Sequence, residues 1–172
     1  SIDVGKKSFL VDVHIELHEL GSLILHKPWF YENADVPPTV IHLLSYNNCS
    51  CTDGGSTFIV YPHTTSISIS YEVPQATLRG RNIIAIADGV ALCIGYAVLV
   101  EPISIKTPVQ KAILHINPPE GWKAYSSGYE TRIGNNFIFK TLNHALMAPI
   151  IIARIFKEVS IKVQDINITY IL

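Results

Sequence analysis

From Phe9 to Leu20 apolar and polar residues take turns along the chain. Phe9, Val11, Val13, Ile15 and Leu17 fall on one side; Asp12, His14, Glu16 and His18 fall on the other. Side chains of a strand alternate between faces, so this period of two describes a strand with one buried face and one wet face. Ser66 to Val73 repeats the pattern, with Ile67, Ile69, Tyr71 and Val73 set against Ser66, Ser68, Ser70 and Glu72. Half-buried strands of this kind belong to antiparallel sheets, because parallel strands are covered on both faces.

Around these two strands the chain divides into short apolar runs separated by turn residues. Gly21-Ser22 ends the first strand and Leu23 to His26 begins the next. Thr57 to Tyr61, Ile103 to Ile105, Ala112 to Ile116, Ile150 to Phe156, Val159 to Val163 and Ile166 to Leu172 read as further strands. Trp122 to Tyr125 and Asn136 to Lys140 flank a polar loop at Ser126-Ser127-Gly128-Tyr129. Cys51 to Ser56 reads as a turn, and Thr39 to Tyr46 fits either a strand or one helical turn. Thr141 to Met147 has helical character and stops short of Pro149. Strand spacing this close predicts a mainly all-β chain, an antiparallel β-sandwich of two sheets with one short helical segment near 141–147. At 172 residues, with no internal repeat, residues 1–172 fit a single domain.

Ile83 to Val100 is 18 residues long and carries one charge, Asp88, so it approaches the length of a membrane span. Asp88-Gly89 near its middle is a favoured hairpin turn, and a carboxylate there would be costly in a bilayer. The segment is therefore predicted to be two buried strands, with no membrane span. Hydrophobic residues make up 48% of the chain against 16% charged, which is enough for a core and excludes a disordered tail. The net charge of −1 gives no basic footprint for nucleic acid. Three cysteines, Cys49, Cys51 and Cys93, are too few for a disulfide-stapled secreted domain, so a reducing, cytoplasmic setting is expected. Asn48-Cys49-Ser50 and Asn167-Ile168-Thr169 match the glycosylation triplet, which matters only on a eukaryotic secretory route. The apolar close at Tyr170-Ile171-Leu172 reads as either a trimmed boundary or the edge of a larger protein.

No complete catalytic constellation is visible. A helical zinc motif needs His-Glu-x-x-His, yet His18-Glu19 is followed at the fourth position by Ser22. On a strand His14 and His18 share a face but stand roughly 13 Å apart, too far to hold one ion; either can pair with Glu16. Cys49 and Cys51 lack a second cysteine pair for a four-thiolate site. Ser126-Ser127-Gly128 is no nucleophile elbow, and no phosphate-cradling glycine loop occurs. No metal ligand is assigned. Trp29, Phe30 and Tyr31, with Trp122 and Tyr125, are aromatics beside prolines; they suit either a platform for peptide or glycan or the cap of a core. Trp29, Tyr31, Trp122 and Tyr125 are the candidate binding residues.

The order of features across residues 57–172 resembles the N-terminal β-sandwich domain of the glycyl aminopeptidase family of zinc metallopeptidases. The tyrosine-bearing strand Ile67 to Val73 is followed by the apolar hairpin Ile83 to Glu101 and then by Pro119-Glu120-Gly121-Trp122. A small-residue loop, the segment Phe137 to Pro149 and a last strand pair from Val159 to Leu172 complete the likeness. The family has Asp-Ser just before the closing proline, where this chain has Met147-Ala148. The resemblance implies a non-catalytic leading domain of a metal-dependent aminopeptidase. It implies no cofactor in this chain, zinc in a downstream catalytic domain, packing of the two domains, and an extended peptide as substrate. The other reading of the residues is a free-standing β-sandwich module that binds peptide or glycan.

Overall fold

The computed structural model describes residues 1–28, 41–78, 81–103, 111–154, 157–163 and 166–171. The chain opens with β1 (Ile2–Asp3), β2 (Ser8–Glu16), β3 (Leu23–His26), β4 (His42–Asn47), β5 (Cys49–Asp53) and β6 (Thr57–Pro62). Next come β7 (Ser66–Pro74), β8 (Ala76–Leu78), β9 (Arg81–Ala87), β10 (Val90–Ile94) and a 3-10 turn at Gly95–Ala97. β11 (Glu101–Pro102), β12 (Ala112–His115), β13 (Lys123–Ser126), β14 (Thr131–Ile133) and β15 (Asn136–Phe139) lead to the helix α1 (Leu142–Met147). β16 (Pro149–Ala153), β17 (Glu158–Val163) and β18 (Ile166–Ile171) close the chain. The described chain is thus mostly β with one short helix, as the sequence predicts.

The two alternating strands pair with each other. β2 runs antiparallel to β7 over its whole length, from Ser8 opposite Pro74 to Glu16 opposite Ser66. Their apolar faces meet a second sheet: Ile67, Ile69, Tyr71 and Val73 join Leu23, Leu25, Phe58 and Val60 in one buried core. The rings of Phe58 and Tyr71 lie 5.7 Å apart in a tilted contact. Asn48 turns the chain between β4 and β5, and hence from one of these sheets to the other, with a φ of 58°. Asparagine tolerates that left-handed conformation better than most residues; here its side-chain amide also donates to the Ser66 carbonyl at 3.0 Å.

Tyr71 is fully buried, and its hydroxyl ties the core to the segment between the 3-10 turn and β11. It donates to the Val98 carbonyl at 2.8 Å and accepts from the Val100 backbone N–H at 3.1 Å. Burial pushes its own ionisation far up, so the hydroxyl stays protonated. Tyr71→Phe strands a buried N–H and a buried carbonyl together. The expected loss is about 1–3 kcal/mol in urea unfolding with an unchanged m-value.

The strands divide into more sheets than the two expected. The orders are β1-β2-β7-β4, β11-β3-β6-β5, β13-β16-β10-β9-β8, β12-β15-β14 and the pair β17-β18, all antiparallel. Local pattern marks a strand but not its neighbour, and neighbours decide the number of sheets. Other boundaries shift as well. β2 ends at Glu16 rather than Leu20, and Thr39 to Tyr46 resolves as strand from His42 onward, with 39–40 outside the described residues. Cys51 to Asp53, read as turn, belong to β5, where each residue pairs across to β6. Ser126 is strand rather than loop: its buried hydroxyl donates to the Pro149 carbonyl at 2.8 Å. β14 was not anticipated, and residues 104–105 of the expected Ile103–Ile105 strand lie outside the described residues. The expected hairpin within Ile83 to Val100 forms as β9 and β10, joined by Asp88 and a Gly89 with φ of 85°. Among the described residues no helix is long and apolar enough to cross a membrane.

Candidate functional site

The five-stranded sheet has two faces of different character. Cross-strand rows place Ser126, Ile150, Cys93 and Ile84 together, and Ala124, Ile152, Ala91 and Ile86 together. All eight are buried. The alternate row, Tyr125, Ile151, Leu92 and Ala85, lies on the other face, as does the pair Pro149 and Ile94. There Leu92 is 43% exposed and Ile94 37% exposed. The sequence reading of two buried strands is therefore right for one face only. Because β10 and β16 are apolar on both sides, they have the composition of strands covered twice; on the outer face Ala153 is buried while Leu92 and Ile94 are exposed.

On the outer face a hollow of ≈ 240 Å³ lies along Leu92, Ile94, Tyr96, Pro149 and Ile151, with the buried Cys93 and Ala97 contributing to its lining. No charged residue lines it. It is smaller than the roughly 300–1,000 Å³ of small-molecule sites. Desolvation holds the Cys93 thiol far above its ordinary range, so it is neither a nucleophile nor a ready ligand.

The candidate aromatics take different places. Trp29 and Tyr31 lie outside the described residues. Tyr125 is buried on β13, beside Ile151 in the outer row. Trp122 is half-buried against the core, at the entry to β13. The Arg154 guanidinium stands 5.7 Å from its ring, a cation–π distance, and reaches Asp88 at 3.7 Å. The Arg154 backbone N–H donates to the Gly89 carbonyl at 2.8 Å. Trp122 and Arg154 thus rim one end of the sheet beside the hairpin turn. The outer row itself was missed at the sequence level, although an apolar run without alternation in both β10 and β16 was the signal for it.

Three polar groups elsewhere look like a nucleophile relay and are not one. His14 Nε2 lies 2.6 Å from Glu16 Oε1 and 3.3 Å from Ser66 Oγ, and Ser66 Oγ donates to Glu16 at 2.8 Å. In a relay the carboxylate holds one ring nitrogen while the other takes the serine proton. Here Glu16 and Ser66 meet the same nitrogen, on an exposed face. The Ser66 and His14 hydrogen bonds hold the Glu16 carboxyl below its usual range. The expected pairing of His14 with Glu16 is present.

Cys49 and Cys51 are free thiols on β5. Burial, reinforced by Cys49 and Asp53, pushes Cys51 up to about 11, and burial also raises Cys49. Among the described residues no group of three or more His, Cys, Asp or Glu side chains is placed to hold a metal ion. None of the described residues is placed for a zinc centre, and no chemical step is assigned to one.

No protein-family model and no curated protein sequence matches the chain. Its fold is similar to part of the crystal structure of an aminopeptidase N family protein from Idiomarina loihiensis, with a TM-score of 0.74 at 12% sequence identity. The superposition covers 99% of this chain and 31% of that one. At this identity the likeness is one of fold, and the chain spans under a third of the length of the protein it matches.

Proposed function

We propose that this chain is a non-catalytic β-sandwich domain of a metal-dependent aminopeptidase-like protease. It packs on a downstream catalytic domain and forms one wall of a cleft for extended peptide. The observation that carries this is the extent of the fold likeness, which takes in nearly all of this chain but only 31% of an aminopeptidase N family protein. Zinc in this reading belongs to the downstream domain. Trp29, Tyr31, Trp122 and Tyr125 are peptide-side candidates within it, with the Trp122–Arg154 stack at the rim of the five-stranded sheet.

Peptidase assays test the reading. The parent polypeptide is expected to release N-terminal amino acids from short peptides and to lose that activity on chelation. The 172-residue chain alone is expected to give no turnover above blank. Hydrolysis by the isolated chain, abolished by a substitution within it, would contradict the proposal. The second reading, a free-standing module for peptide or glycan, draws on the same half-buried Trp122; binding on a peptide or glycan array that disappears with Trp122→Ala would favour it.

A further inference from the structure

We infer that the Asp88-Gly89 turn between β9 and β10 is a modification site: the folded chain converts Asp88 there to a β-linked isoaspartyl residue, the substrate of a carboxyl methyltransferase. The other Asp-Gly step of the chain, Asp53-Gly54, is held inert by its hydrogen bonds.

The reaction needs a carboxyl group within reach of the next residue's amide nitrogen. That nitrogen attacks Cγ of the protonated carboxyl, a C–N bond forms, water leaves, and a succinimide ring results. Water then adds to one of the two ring carbonyls. Opening at the side-chain carbonyl restores aspartate. Opening at the other runs the main chain through Cβ and Cγ and frees the former main-chain carboxyl, with no net change in atoms. Asp3, Asp12, Asp35 and Asp165 are each followed by Val or Ile, whose branched Cβ crowds the attacking nitrogen. Asp53 and Asp88 are followed by glycine, which has no Cβ.

The structure separates these two. Lys27 Nζ donates to both Asp53 oxygens at 2.8 and 2.9 Å, and the Gly55 N–H donates to one of them at 3.0 Å. The Gly54 N–H, on the nitrogen that would attack, is committed to the Thr57 carbonyl at 2.8 Å. Cyclisation there must first break strong, charge-assisted bonds. The Asp88 side chain is 93% exposed, and its contact with Arg154, at 3.7 Å, is longer than a hydrogen bond. The β-linked product adds one main-chain carbon to a two-residue turn, beside the Arg154 that stacks on Trp122.

Methyl labelling tests the assignment. The 172-residue chain is aged at neutral pH and physiological temperature. A purified protein isoaspartate methyltransferase then transfers labelled methyl from S-adenosylmethionine to any isoaspartyl carboxylate, and peptide mapping locates the label. In the folded chain, label at position 88 is expected to accumulate about tenfold or more faster than at position 53. Asp88→Ala should abolish the first signal and leave thermal unfolding unaltered, since the side chain is exposed. In denaturing urea the rate at position 53 is expected to rise towards that at position 88. Equal labelling of the two positions in the folded chain, label at 53 alone, or label at neither would overturn the inference. A position 53 that stays inert in urea would also overturn it, because local sequence and not the fold would then protect Asp53.

Discussion

Gly95→Ala is expected to be the most damaging single-methyl change in the chain. A Cβ at this position would sit 2.1 Å from the Ala145 carbonyl oxygen and 2.9 Å from that of Leu146. Both obstacles are backbone atoms, so neither can rotate away. The close approach exists because the 3-10 turn at Gly95–Ala97 is tied to the end of α1, the Gly95 N–H donating to the Ala148 carbonyl at 2.8 Å. Relief requires moving the turn off the helix and breaking that bond. Overpacking of this kind costs typically 1–3 kcal/mol, and with backbone on both sides about 3 kcal/mol or more is expected. For a chain of this size that corresponds to a fall in Tm of roughly 6–12 °C in a thermal melt. A fall below about 2 °C would mean that the turn and helix do not touch as described.

Asp53→Asn is expected to destabilise the fold by about 3 kcal/mol, the lower end for breaking a buried ion pair, because Asp53 is half exposed. Its partner is not exposed: Lys27 is 2% exposed, and its Nζ donates to both carboxylate oxygens at 2.8 and 2.9 Å. The ammonium also lies 4.8 Å from the centroid of the Phe58 ring, against the core. Removing the carboxylate charge leaves the lysine charge inside. The double variant Lys27→Met/Asp53→Asn is expected to recover most of the loss, since an apolar replacement of similar length needs no counter-ion. Urea unfolding of the two single variants and the double variant forms a thermodynamic cycle. A double variant as unstable as Asp53→Asn would mean that the pair is not what fails.

What local pattern encodes was legible. The period of two in β2 and β7, the Asp88-Gly89 turn and the helix at Leu142–Met147, begun by a Thr141 side chain that accepts from the His144 N–H, all follow from neighbouring residues. Partner choice was not legible. Nothing near Thr131 announces that β14 will pair with β15, and Cys51-Thr52-Asp53 became a strand only because β6 lies alongside it. The candidate surface was half legible for the same reason. Apolar residues on both sides of β10 show that two covers are needed, and only three-dimensional placement shows which cover is supplied by the core. Trp122 and Tyr125 are three residues apart in sequence, yet one meets Arg154 at the sheet's end and the other is buried in its outer row.

The account stands on this domain being a packing partner of the polypeptide that follows it, and an add-back titration measures that directly. The remainder of the parent polypeptide, purified without residues 1–172, is mixed with the 172-residue chain and followed by thermal melting. The expected result is a saturable rise in the Tm of the remainder, as mass action requires of a partner that binds only the folded form. A remainder whose melting is indifferent to the added chain at every concentration would contradict the account.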